Sequence, residues 1–489
     1  MTSAESAQSS ALAGRMPVRE SERIYETYGA FLRTFTTFGS ALWVFLIGSA
    51  LPSVGDTRIA IVGYACGLVL GFIPVLLSAA LPSFRYGIDA IDASKAALGT
   101  RGAFLPLIGL IVNALGWAGV VMSMVARGGA LLVSQARDPH GLSDDRLVIV
   151  LSFATIVACW LLLRRGLKYI RHLNDFVGPA LIVLATGSLV LLASRFGVRH
   201  LWHANVEVGT ALTADRRKSL AYAVEFGIAS SMSWWPYVGG LYRLLKYRRH
   251  AVGPSIIGGT LIGGSYCSSI AALAAVNLGT ADPVVWIIAL AGRTFGSIIV
   301  SLILLMNIPT ICMLVYFAAI SVQQIRALAR LPWNGLVALL LIPLMLVAFH
   351  THWAITHVMT IATYCGVQFI GVSAIGIVDF YLFRRRQLAL DQIFVSGPRG
   401  DYWFWRGVNL VAVGVIVFGM AMYLLLYDPV TLSAPAVFRY FGAGIPVLVV
   451  SGFLYYCLTR LITIPAGRGG YEPGSQRSIG TKLEVDVEL

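Results

Sequence analysis

The chain has 489 residues, 57% hydrophobic and 12% charged, where an average soluble domain carries about 25% charged residues. This composition excludes a soluble enzyme and makes the bilayer the solvent for most of the chain. The net charge of +14 is dispersed between apolar runs, which excludes a nucleic-acid-binding patch and marks membrane topology instead.

Residues 1–30 are polar and carry no apolar leader, so they are expected to stay as a cytoplasmic N-terminal tail. A membrane helix needs about 20 mostly apolar residues. Windows of that kind fall near 31–53, 59–81, 104–132, 146–163, 173–194, 219–242, 252–277, 284–322, 333–349, 354–380, 407–427 and 436–459. The eighth is too long for one crossing and should include an extramembrane turn. Residues 461–489, with Gly-rich and mixed-charge sequence, read as a disordered cytoplasmic tail. Cysteines 66, 159, 267, 312, 365 and 457 lie inside apolar runs, as small core residues do, and not in disulfide or zinc-site spacings.

With the N-terminus cytoplasmic, 26 of the 37 Lys and Arg residues fall on that side. The bias predicts both termini in the cytoplasm, an even number of crossings and a multi-pass protein of the plasma (inner) membrane. No G-x-x-x-x-G-K-[ST] loop is present to hold ATP phosphates, which argues against an ATP-driven pump.

Carriers that use ion gradients place substrate at mid-bilayer in helices whose backbone is interrupted, and matched interruptions in two halves point to the site. The first window carries Gly39 and Ser40 in mid-span, flanked by Phe38, Leu42 and Trp43. The sixth carries Gly227, Ser230, Ser231 and Ser233, then Trp234, Trp235 and Pro236. Proline lacks a backbone donor and clashes with the carbonyl one turn earlier, so unwinding is expected there. If windows 1–5 and 6–10 are two units, the odd count inverts the second, and the two breaks occupy equivalent places. The plainer alternative is that small residues only let helices approach closely, and Gly258, Gly259, Gly263 and Gly264 keep that reading.

An unwound segment exposes carbonyls and amides that a continuous helix consumes. Gly39 and Leu42 are expected to offer carbonyls to a cation, with the eighth window completing the cage through Thr310 and Cys312. Glu225, immediately before the second break, is a candidate proton carrier; a hydrated or ion-paired carboxylate is its plainer reading. Arg127 and Arg293 are expected to snorkel to an interface, and Asp89 and Asp92 to be paired or solvated in a basic loop. His350, His352 and His357 have metal-like spacing without acidic or cysteine neighbours, and read as boundary residues. No nucleophile, carboxylate pair or ligand cluster points to an enzyme.

Several segments resemble one family. Arg85-Tyr86-Gly87-Ile88-Asp89 with Gly99-x-Arg101-Gly102, Trp117, Tyr169-Ile170-Arg171-x-x-Asn174 with Pro179, and Ser233-Trp234-Trp235-Pro236 with Tyr242-Arg243 are similar to signatures of the nucleobase–cation symport-1 family. Asp379-Phe380-Tyr381-Leu382 with Arg384-Arg385-Arg386, then Tyr402-Trp403-x-x-Arg406-Gly407-Val408-Asn409, is the most specific match. The resemblance implies an all-α membrane protein of twelve helices with a leucine-transporter-type five-plus-five inverted repeat and two further C-terminal helices. The repeats would span 31–195 and 219–380, with an external loop 196–218, a cytoplasmic linker 381–406 and last helices in 407–460.

It implies cation-coupled symport, by alternating access, of a planar nitrogen heterocycle such as a nucleobase, hydantoin, allantoin or related vitamin. The coupling ion would be sodium or a proton, with no other cofactor, and the chain would act as a monomer with a small-molecule substrate and the bilayer as partners. Trp117 would stack on the ring, with Ser40, Trp43, Ser230, Ser231, Trp234, Trp235 and Asn307 as further substrate-binding residues. An indole plus a few polar groups suffices to read a flat heterocycle. The chain departs from the family pattern at Val121, Gly240 and Met313. The alternative is a proton-coupled amino-acid permease of the same fold, which would bind a carboxylate on the broken helix and not stack a ring.

Overall fold

Short polar side chains fix where the long apolar helices begin. The structure, a computed structural model, describes residues 14–137, 144–164, 167–205, 211–395 and 397–471, and its named elements are helices. The first window forms α1 (Tyr28–Gly39) and α2 (Leu42–Ala50), bent by 50°. There follow α3 (Thr57–Val75), the short α4 (Ala90–Leu98), α5 (Phe104–Arg137), α6 (Asp145–Arg164) and α7 (Leu167–Phe196). The sixth window again gives two helices, α8 (Arg216–Met232) and α9 (Trp235–Tyr242). Asp56 accepts from Arg58 N at 3.0 Å to cap α3, and Asp215 accepts from Arg217 N at 2.9 Å to cap α8.

A π-helical stretch, Ser255–Tyr266, leads into α10 (Cys267–Leu278). The overlong eighth window divides at Gly292 into α11 (Pro283–Ala291) and α12 (Arg293–Val322), which supplies the expected turn. The ninth window is α13 (Trp333–Leu341) and α14 (Leu344–Ala348), separated at Pro343. The last three are α15 (Val358–Ile377), α16 (Leu410–Leu426) and α17 (Gly444–Leu458). Among the described residues, eight helical runs are long and apolar enough to cross a bilayer, and α1–α2 makes a ninth as a bent pair. The remaining three windows hold the shorter or broken elements α8–α9, α13–α14 and α16.

Close packing pairs the spans crosswise. A Cβ at Gly39 would fall on the backbone of Gly259, so α1 and the π-helical stretch touch main chain to main chain. A Cβ at Gly67 would fall on Val224, and one at Gly227 on Tyr64, so α3 and α8 do the same. The first span therefore meets the seventh as the sixth meets the second. That is the exchange expected when spans 1 and 6, and 2 and 7, are equivalent members of two inverted repeats.

On the face that carries the N-terminus, called here the terminal face, residues 14–25 lie as a strap and not as a loose tail. Val18 N donates to Gly87 O (2.8 Å), Arg23 donates to Leu245 O (3.0 Å) and Phe84 O (2.8 Å), and Lys246 N donates to Tyr25 O (3.0 Å). Arg15 pairs with Asp92 at 2.9 Å, and Lys95 pairs with the same carboxylate. Asp89 and Asp92 are thus buried and bonded, Asp89 accepting from Ser321 Oγ at 2.8 Å. Burial, reinforced by the charge of Asp92, pushes the Asp89 carboxyl above its ordinary range.

The C-terminal side closes on the same hub. Arg384 donates to Asp379 (2.6 Å), Ala96 O (2.6 Å) and Gly469 O (2.9 Å), while Tyr471 OH donates to Asp379 (2.6 Å). Asn409 Nδ2 donates to Ala97 O at 2.7 Å. The expected disordered tail is accordingly ordered through Tyr471, because a buried charge pair recruits its backbone; residues 472–489 of that tail lie outside the described residues.

Candidate functional site

The two breaks are built differently. At the first, α1 ends at Gly39, Ala41 takes an extended conformation (ψ 162°), and α2 begins at Leu42. The last carbonyls of α1 and the first amides of α2 thereby lose intrahelical partners. At the second, Ser233 and Trp234 form a short turn in helical conformations ahead of Pro236, so the interruption falls two to three residues before the proline.

Asparagines from the opposite repeat hold both breaks. Asn307 of α12 accepts from Leu42 N at 2.7 Å and donates to Ile303 O at 2.7 Å. Asn113 of α5 donates to Ser233 O (2.8 Å) and Cys365 O (3.1 Å) and accepts from Tyr237 OH at 2.9 Å. Third and eighth spans are equivalent in inverted repeats, so each asparagine crosses to the broken helix of the other unit. Asn113 was not singled out from sequence; the available signal was a lone amide in an apolar helix one turn before Trp117.

Aromatic rings gather at the first break. Trp43 and Trp117 have ring centroids 4.9 Å apart, Trp43 and Trp234 6.2 Å, and Phe38 and Trp234 5.7 Å. Trp117 is 5% exposed, and its indole Nε1 has no acceptor. Thr310 is 3% exposed, and its hydroxyl has no partner either. Thr310 lies one turn from Asn307 on α12, hence on the helix face that meets Leu42. The structure therefore brings Trp43, Trp117, Trp234, Asn307 and Leu42 together, with Gly39 ending α1 at the same break and Thr310 one turn along α12 from Asn307.

Other predicted residues are spoken for elsewhere. Trp235 donates from Nε1 to Ser78 Oγ at 2.9 Å and stacks on Phe369 at 5.2 Å, so its ring turns away from the cluster. Ser231 Oγ donates to Leu68 O (2.6 Å), tying α8 to α3, and Ser40 Oγ donates one turn back to Thr36 O (2.6 Å). Ser230 Oγ accepts from Tyr64 OH at 3.3 Å. Cys312 Sγ donates to Cys159 O at 3.7 Å, which aims the thiol at α6 and away from the break. Glu225 accepts from Ala443 N (2.8 Å) and Gly444 N (2.9 Å), anchoring the start of α17. Arg293 bonds the Gln135 carbonyl at the end of α5, as a boundary residue should.

Paired broken helices cross-braced between repeats, with rings and unpartnered polar atoms at the first break, are the arrangement of a membrane carrier. Comparison with known proteins makes this particular. Residues 17–442 match the family described as permease for cytosine/purines, uracil, thiamine and allantoin. Over 460 residues the chain is 23% identical to the hydantoin permease of Microbacterium maritypicum, covering 87% of each protein. Over 381 residues it is 22% identical to the purine-uracil permease NCS1 of Arabidopsis thaliana, covering 71% of this chain and 60% of the plant protein.

Among solved structures, the inward-facing conformation of Mhp1 superposes with a TM-score of 0.73 at 16% identity, covering 95% of this chain and 98% of that one. The closed conformation of Mhp1, with bromovinylhydantoin bound, gives 0.71. A sodium-coupled sialic acid symporter gives 0.58 at 12% identity, over 94% of this chain and 93% of that one. The chain belongs to the nucleobase–cation symport-1 family and is a multi-pass membrane permease with the inverted-repeat fold of that group.

Proposed function

We propose that this permease moves a planar nitrogen heterocycle together with sodium by alternating access. The observation that carries the reading is the pair of buried, partnerless polar atoms at the first break, Trp117 Nε1 and Thr310 Oγ1. A buried polar group left unpaired costs about 1–3 kcal/mol, and a ligand acceptor and a cation would each relieve one of them. The rings of Trp43, Trp117 and Trp234 offer faces to a flat substrate, and its alternating donors and acceptors would meet Trp117 Nε1. The relatives' printed substrates, hydantoin and purine–uracil, are heterocycles of this kind.

The donor set fits sodium: the carbonyls released at the end of α1 near Gly39 and the free hydroxyl of Thr310 are hard oxygens, the ligand type a hard cation takes, and the Leu42 carbonyl at the start of α2 is not among those released. When bound, the ion supplies the positive charge that holds those oxygens together across the break. Cys312 plays no part in this set. Glu225 we assign to anchoring α17, since its carboxylate is already committed to backbone N–H groups there. The amino-acid alternative is disfavoured because Asn307 already takes the Leu42 amide that a substrate carboxylate would use. The repeats span 31–195 and 219–380, the terminal face is cytoplasmic, and the protein acts as a monomer in the plasma membrane with twelve crossings.

The test is accumulation of labelled uracil or hydantoin in vesicles reconstituted with the purified protein. An inward sodium gradient should drive accumulation above the external concentration, and Thr310→Val should abolish the sodium dependence while substrate still binds. Accumulation that follows a proton gradient and ignores sodium would refute the ion assignment. Chemical conversion without accumulation would refute the carrier.

A further inference from the structure

On the face opposite the strap, a cavity of about 280 Å³ opens between α2, α5, the start of α11 and the segment before α15. Leu46, Met124, Val284 and Met359 give it mainly apolar walls, and Arg127 and Asp282 are its charged members. It lies directly above the aromatic cluster. Leu46 is one turn beyond Trp43 on α2, and Met124 is two turns beyond Trp117 on α5.

Arg127 is the unexplained residue. The sequence places it near the end of a window closing at 132, but α5 runs on to Arg137. Ten residues of helix separate Arg127 from that end, about 15 Å, and α5 at 34 residues is longer than one crossing needs. The same spacing puts it about 15 Å above Trp117. Elsewhere Arg15, Arg33, Arg58, Arg216, Arg384 and Arg439 each meet a carboxylate. Arg127 has no ion-pair or hydrogen-bond partner among the described residues. Asp282 shares the cavity without pairing to it; its Oδ1 accepts from Val284 N at 2.8 Å and caps α11. An ionised side chain of a membrane helix that lines a cavity and meets no carboxylate is placed to contact a solute.

We propose that this cavity is a loading site for heterocycles that carry a negative charge, with Arg127 reading the anionic group through its fork of N–H donors. The apolar walls accept the ring, and the column of Leu46 and Met124 leads it down to Trp43 and Trp117. The inference rests on the carrier reading and narrows its substrate class from planar heterocycles to anionic ones.

The experiment titrates the purified full-length protein with two matched pairs: uracil with orotate, its ring carboxylate, and hydantoin with hydantoin-5-acetate. Wild type should bind each carboxylate about tenfold more tightly than its neutral mate, the scale of a charge-assisted hydrogen bond. Arg127→Gln should erase that preference and bind the neutral mates as wild type does, which also shows that it folds. Arg127→Lys should keep part of it. Equal affinity within each pair in wild type, or a preference that survives in Arg127→Gln, overturns the proposal. Chloride or inorganic phosphate displacing orotate at equal concentration overturns it as well, assigning the cavity to a free anion. If no pair binds in either form, the proposed substrate reading falls, and the loading site with it.

Discussion

Trp117 and Trp235 are the same residue type, yet only Trp117 has its indole N–H free for the proposed substrate. Trp117 keeps a free indole N–H beside the Trp43 ring, while Trp235 spends its N–H on Ser78 and its face on Phe369. Trp117→Ala should weaken heterocycle binding about tenfold or more, since a stacked aromatic is worth about 0.5–1.5 kcal/mol beyond the area it buries. Trp235→Phe should leave affinity within about twofold; calorimetric titration of both variants decides, and the reverse order would move the site. Asn307 and Asn113 make a second pair of residue-scale tests. Asn307→Leu strands the Leu42 amide and Asn113→Leu strands the Ser233 carbonyl, each costing about 1–3 kcal/mol. Both should lower the melting temperature in detergent, and a variant that melts like wild type would show its break to be held by something else.

The broken helices work only if their neighbours come close, and glycine decides how close. Gly39 and Gly67 touch backbone, so a methyl at either must push two helices apart. Gly39→Ala and Gly67→Ala should each destabilise by about 1–3 kcal/mol, the usual cost of overpacking. Gly414→Ala, at a position where an added Cβ meets nothing within 4 Å, is the control and should not lower the melting point. These contacts also settle a question that the glycine pattern leaves open. Gly39 both ends α1 and packs against Gly259, so the break and the close approach are one feature and not rival explanations. The neighbouring Gly259 and Gly263 keep the packing role that small residues in a membrane helix usually have.

At the scale of the whole molecule, several of the motifs that carry the family resemblance sit at the terminal face, away from the aromatic cluster. Gly87 and Asp89, Gly99 to Gly102, Asp379 with Arg384, and Tyr402 with Asn409 converge on α4 at the terminal face. Thr100 N donates to Tyr402 O (3.1 Å), and Arg101 N donates to Gly407 O (2.7 Å). Gly99 has φ +91°, and a side chain there would strike Gly407, so the two loops meet only through glycine. The Arg384–Asp379 pair is the buried charge at the centre of this hub. Arg384→Gln leaves Asp379 uncompensated and should cost about 3–5 kcal/mol, seen as a large fall in melting temperature with unchanged substrate affinity in whatever protein remains folded. An affinity loss with normal stability would place the pair in the transport path instead.

The sequence alone determined the positions of the spans, the two breaks and the family, because runs of apolar residues, a mid-span Gly-Ser pair and a proline act locally on the backbone. It also supplied Trp43, Trp117, Trp234, Asn307 and Thr310 as candidate residues for the proposed site. It could not say which way each side chain turns. A helix bounded by lipid on one side and protein on the other is apolar all round, so no polar face records its rotation. That rotation sends Cys312 toward Cys159, Trp235 toward Phe369 and Glu225 toward α17, and it aims Asn113 at a break 120 residues away in sequence. Only the packing of one repeat against the other fixes those directions, because the partners that hold them belong to distant spans.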